Sequence, residues 1–199
     1  MDDGSTVQPG SGRLTPEMLD GVLRLGAEAW RDFSASAEGR FHRFIPADGA
    51  LAHEALRGLK SRAHSFLELG SGAGVITILA DLMGFDAYGV EIEPELVELA
   101  QDLAQRFDSN ATFVEGSFVP PDFRDEIELL DGDFLTVTEG ADGYEELGLD
   151  IADFDLVYAY PWPGEQEWMI ELIRSHAGER TEMLMYNVSE GFEVVDLRG

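Results

Sequence analysis

Cysteine is missing from this 199-residue chain. That excludes disulfide staples, thiolate metal ligands and cysteine nucleophiles. Basic residues are scarce as well: 13 Lys and Arg face 40 Asp and Glu, for a net charge of −27. A surface of that sign repels phosphate backbones, so no nucleic acid is expected as a partner. No apolar run reaches the roughly 20 residues of a membrane span, so no membrane partner is expected. No N-terminal signal peptide can be read either, and a cytoplasmic location is the expectation. The many acids do not fall at calcium-loop spacing, so no metal is expected. What is left is enough chain for one domain with a buried core, expected as a monomer or weak homodimer.

Against these absences stands one dense stretch. Phe66, Leu67 and Leu69 form a short apolar run, the pattern of a buried parallel strand. Gly70, Ser71, Gly72, Ala73 and Gly74 follow as a turn of small residues. Val75, Ile76, Ile78, Leu79 and Leu82 then recur at helical spacing. Strand, glycine turn and helix are the opening unit of a nucleotide-binding α/β fold. Glycines let the chain turn sharply and let a ligand approach the backbone. The helix start behind them offers free N–H groups. The dinucleotide fingerprint needs a third glycine where Val75 stands, which weakens a nicotinamide-dependent oxidoreductase reading.

The remaining chain divides around that unit. Residues 1–12 read as a disordered polar tail, and residues 13–62 as two flanking helices. Thr15-Pro16-Glu17 marks the first helix start and Asp48 the second. Leu19, Val22, Leu23, Trp30 and Phe33 form a stripe read as core packing. Leu51, Ala55, Leu56 and Leu59 are the expected inner face of the second helix. Arg40, Arg43, Arg57, Lys60 and Arg62 cluster here, with His42 among them as a candidate base. Two readings stand for that cluster: a solvated helix face, or a grip on an anionic group of the substrate. Arg43, Phe44 and Pro46 either reach the cleft or pack the flank.

From residue 63 to 199 the pattern is that of the α/β domain. A second strand over residues 86–91 ends in Glu91, about twenty residues beyond Gly70, where a ribose-binding acid belongs. Pro94 opens the next helix. A third strand leaves through Gly116-Ser117-Phe118. Residues 120–153 read as an acidic, irregular insertion without a clean amphipathic helix. Within it, residues 126–130 and 134–137 read as short strands or helical turns, and Asp131-Gly-Asp-Phe134 competes with 116–118 for one role. The fourth strand ends in Tyr160-Pro161-Trp162-Pro163-Gly164, and a helix over 165–176 follows. His176 reads as a partner for that helix's C-terminus. Two last strands, at 182–187 and 191–197, are joined so tightly that they must run antiparallel. The expected architecture is an open, mostly parallel Rossmann-like sheet of about six strands. Helices cover both faces, the last strand is reversed, and two N-terminal helices flank it.

Glu68-x-Gly70-x-Gly72-x-Gly74 resembles the first motif of the class I S-adenosylmethionine (SAM) methyltransferases. The resemblance covers about residues 66–197 and implies methyl transfer from SAM to a nucleophile; the acidity of the chain makes a small-molecule acceptor the expectation. It implies that Gly70, Ser71, Gly72 and Gly74 wrap the methionine part and that Glu68 holds its ammonium. Glu91, with Ile92 beside it, would hold the ribose, and Ser117 and Phe118 would frame the adenine. Tyr160, Pro161 and Trp162 would face the transferring methyl. The family usually has an acid where Ser117 stands, and its planar-nitrogen branch has Asn where Tyr160 stands. The plain alternatives are a backbone-bonded acid at Glu68, a helix cap at Glu91 and a packing role for Trp162. A SAM-binding module without catalysis is the second functional reading, and the oxidoreductase the third.

Overall fold

The computed structural model describes residues 12–36, 46–130 and 134–198. The expected tail, apart from Gly12, lies outside them, as do Arg40, His42, Arg43, Phe44 and Asp131-Gly132-Asp133.

The chain begins with α1 (Pro16–Ser36) and α2 (Gly49–Leu59). Thr15 caps α1 by accepting from the Met18 N–H at 3.2 Å. Asp48 caps α2 by accepting from the N–H groups of Ala50 and Leu51. Alternation then builds the first parallel unit: β1 (Ser65–Leu69), α3 (Val75–Leu82), β2 (Asp86–Glu91), α4 (Pro94–Arg106) and β3 (Thr112–Glu115). The second half holds α5 (Pro121–Glu128), α6 (Gly143–Leu147) and a 3-10 turn at Ile151–Asp153. It ends with β4 (Leu156–Ala159), α7 (Gln166–His176), β5 (Glu182–Asn187) and β6 (Gly191–Val195).

The strands form one sheet in the order β3-β2-β1-β4-β5-β6. All pairs are parallel except β5 with β6. Strand order reverses between β1 and β4, so a crevice opens beyond their carboxyl ends. Side chains alternate across each strand. Leu67, Leu69 and Val157 enter the core under α5, α6 and α7. Phe66 and Tyr158 enter the opposite core, under α2 and α3. On that same face α1 wedges against α3 and α4. A Cβ on Gly26 would stand 2.1 Å from a Val75 methyl, so α1 docks where its backbone is bare.

Three expectations need correction. Residues 121–128 form α5, a real helix, because Phe123 and Ile127 at i and i+4 bury one side of it. Residues 134–137 are neither strand nor helical turn but irregular chain. On α2, Leu51 is 48% exposed and Ala52 takes its place in the core. Among the described residues no helix is long and apolar enough to cross a membrane.

Candidate functional site

The glycine turn is fixed by its neighbour strand before any ligand is considered. The N–H groups of Gly70 and Ser71 both donate to the Val90 carbonyl of β2, at 2.9 and 3.0 Å. The three glycines of the turn carry positive φ: Gly70 at 74°, Gly72 at 54° and Gly74 at 75°. They have different jobs. A Cβ on Gly74 would meet the Phe113 ring at 2.6 Å and Ala100 at 2.8 Å, so this glycine serves helix packing. A Cβ on Gly72 would meet nothing within 4 Å; it would project into the open cleft. Gly89 on β2 makes room for Ser71, whose Cβ would lie 2.7 Å from an added methyl.

Glu91 points at the turn. Its Oε2 accepts from the Gly72 N–H at 2.8 Å. Its Oε1 accepts from the N–H groups of Ile92 and Glu93 at 2.8 and 3.0 Å. The side chain is buried, which pushes its pKa up, and the three backbone donors pull against that rise. Four lone-pair sites on a carboxylate leave room for a ligand beside these donors.

Glu68 is buried on β1, and both its bonds use Oε2. They come from the N–H and the hydroxyl of Thr77 on α3. The plain reading of Glu68 as a backbone-bonded acid is thus realised, yet the residue still lines the cleft. Burial pushes its pKa up to about 8, against the Thr77 bonds and with help from the Glu91 charge.

The cleft has two lobes, of about 360 and 430 Å³, on either side of the turn. Trp30, Gly70, Gly72 and Tyr160 line both. The larger lobe lies over β2 and holds Glu91, Ile92, Ser117, Phe118 and Trp162. Pro161 is buried behind its neighbours and lines neither lobe. Ser117 is nearly inaccessible: its hydroxyl donates to the Thr138 carbonyl and accepts from the Val119 N–H. It therefore organises the loop at 138 as well as lining the lobe.

Several site residues escaped the sequence reading. Tyr158, in the middle of β4, is 1% exposed, and its hydroxyl has no hydrogen-bond partner. It is the register partner of Glu68 on β1, so both lean into the smaller lobe. The Ser71 hydroxyl is likewise buried without a partner. Trp30 and Leu23, assigned to core packing on sequence, are walls of the cleft, whereas Val22 and Phe33 of the same stripe are core. Glu165 is 2% exposed at the start of α7. Its carboxylate accepts from the N–H groups of Leu135 and Thr136 and from the Thr136 hydroxyl. It thereby straps residues 135–136, a wall of the larger lobe, to the loop that carries Trp162.

The described members of the basic cluster are engaged away from the cleft. Arg57 pairs with Glu54, Arg62 pairs with Glu182, and Lys60 lies over the Phe85 ring. His176 bonds the Leu172 carbonyl of its own helix and faces Asp122.

No family model and no curated protein matches the chain. Solved structures do. An RNA methyltransferase from Salinibacter ruber, in complex with S-adenosyl-L-homocysteine, has a TM-score of 0.50 at 19% identity; 71% of this chain and 76% of that one are covered. Cofactor-bound Rv0187 from MTB gives 0.52 at 18% identity, covering 87% and 66%. A putative O-methyltransferase from Klebsiella pneumoniae gives 0.50 at 16%, covering 88% and 66%. The chain has the methyltransferase fold. In that fold the crevice between β1 and β4 is the ligand side of the sheet, and the cleft described above occupies it.

Proposed function

We propose that the protein is a SAM-dependent methyltransferase with a small-molecule acceptor. The observation that carries this is the bond from Gly72 N–H to Glu91, which sets a carboxylate against the glycine turn. The cleft suits the cofactor in three further ways. Gly72 leaves a space that any side chain would fill. The buried hydroxyl of Ser71 lacks a partner that the cofactor would supply. Two joined lobes match a molecule with a nucleoside end and an amino-acid end.

On this reading Glu91 accepts from the ribose hydroxyls, and Ile92 and Phe118 flank the base. Ser117 has one remaining lone pair for an amino group. Gly70, Ser71 and Gly72 hold the methionine part, with Gly74 supporting them through packing. Glu68 takes the ammonium, giving up its proton as it does so. SAM supplies an electrophilic methyl on a sulfonium centre. The protein's share is alignment and exclusion of water, by Tyr160, Trp162 and Pro161 behind them. Support for a small acceptor comes from the acidity of the chain, which disfavours polyanions.

Calorimetry with SAM, S-adenosylhomocysteine and NADH tests the reading. Both sulfur nucleosides bind and NADH does not; Glu91→Ala weakens the nucleosides roughly 100-fold. Folded protein that binds neither sulfur nucleoside overturns the proposal. Turnover on a screened acceptor separates an enzyme from a non-catalytic SAM-binding module.

A further inference from the structure

Across the sheet the polar groups fall in a row. Glu91 stands at the end of β2, and Glu68 and Tyr158 pair in register on β1 and β4. If the cofactor lies along β2 and β1, the hydroxyl of Tyr158 is left on the far side. It is a buried donor and acceptor on a residue that lines the smaller lobe, and it has no hydrogen-bond partner. An unanswered buried hydroxyl costs stability, about 1–3 kcal/mol, and so marks a place where a ligand group fits.

The walls around it define that ligand further. Leu23, Ala27 and Trp30 of α1 and Ala47 at the entry to α2 are apolar. The charged residues of the lining are Asp48 and Glu68, both acids. No Lys, Arg or His lines the lobe among the described residues. Among the described residues a carboxylate or phosphate meets only charges of its own sign there. A phenol or alcohol would need a base to remove its proton during attack; of the two acids in the described lining, Asp48 is engaged in capping α2 and Glu68 accepts two bonds from Thr77. An amine needs no base, because its free lone pair attacks directly. Trp30 and Tyr160 add aromatic walls that suit a cation. About 150 Å³ is enough for benzene, so the lobe has room for one ring beside the amino-acid end of a cofactor.

We infer that the acceptor is a small amine with an apolar body, seated in the lobe between α1, α2 and β4 with its nitrogen hydrogen-bonded to Tyr158. This rests on the proposed methyl transfer. The ammonium form first gives a proton to water at the mouth, where Asp48 is exposed. The nitrogen lone pair then forms the nitrogen–carbon bond as the carbon–sulfur bond breaks. The bonding pair leaves on sulfur, giving the neutral thioether, and the methylated nitrogen carries the positive charge. The tyrosine hydroxyl accepts from a nitrogen-bound hydrogen and turns the lone pair toward the methyl.

The test is equilibrium binding in the presence of S-adenosylhomocysteine, with three one-ring probes: benzylamine, benzyl alcohol and phenylacetate. Benzylamine binds at least about tenfold more tightly than the other two. Tyr158→Phe weakens benzylamine about tenfold and leaves S-adenosylhomocysteine affinity within about twofold. Removing one unpartnered hydroxyl leaves the fold intact, which the thermal midpoint checks. Preference for phenylacetate overturns the inference and favours the anion reading of the basic cluster. Benzylamine affinity unchanged in Tyr158→Phe overturns it too. If S-adenosylhomocysteine itself does not bind, the methyltransferase reading fails; if it binds and no amine does, only the acceptor class fails.

Discussion

In the larger lobe of the cleft the polar side chains of Glu91 and Ser117 are already answered. Glu91 accepts three backbone N–H groups, and the Ser117 hydroxyl makes two bonds. In the smaller lobe two groups are not: the hydroxyls of Ser71, in the turn beside β2, and of Tyr158, on β4, are buried with no partner. One side of the cleft is held in shape by its own bonds, and the other keeps bonds in reserve. A preorganised half suits a ligand of fixed shape, and a half with open valences suits a ligand that completes it.

The largest effect that would break this contrast lies in the glycines. Gly74→Ala loses about 4 kcal/mol, because the methyl meets Phe113 and Ala100 in a left-handed backbone. Gly72→Ala costs only about 1 kcal/mol of backbone strain, since its methyl enters open space. It abolishes nucleoside binding all the same. Urea unfolding and calorimetry on both variants check the pair; equal destabilisation would merge two roles that the geometry separates. Next comes the strap. Glu165→Ala loses about 2 kcal/mol and loosens residues 135–136, so nucleoside affinity falls with stability. A variant that loses stability but binds the nucleoside normally would detach that wall from the site.

The last effect is a slope, small at any one pH step. Glu68 keeps its proton in the folded chain up to about pH 8, whereas an unfolded glutamate ionises near about 4.3. Between those values the unfolded state binds fewer protons, so stability falls as pH rises, by up to about 1.4 kcal/mol per pH unit. Above about pH 8 the slope from this group ends. Glu68→Gln removes it, so the variant gains on the wild type from pH 5 to 8. Parallel urea midpoints for the two proteins across that range would show that the acid is ionised throughout.

The answered half of the cleft was readable in the sequence because its cues are local. The glycine spacing, the apolar run before it and the distance from Gly70 to Glu91 belong to one strand–helix–strand unit. Strand connectivity then placed Tyr160 and Trp162 opposite the turn. The other half depends on register. Tyr158 sits inside an apolar strand and reads as core until its pairing with Glu68 is known. Trp30 belongs to a helical stripe whose members divide between core and cleft. Glu165 looks like any acid at a helix start, yet its partners lie about thirty positions back in the chain. The helix at 121–128 was missed because its sequence offers only two inward apolar residues.

The two lobes meet at a waist of four residues: Trp30, Gly70, Gly72 and Tyr160. A substitution at any of them is felt by both occupants at once. Diversification toward a new acceptor is therefore pushed outward, to α1 and the start of α2. Those walls touch one guest only, and their drift leaves the shared neck untouched.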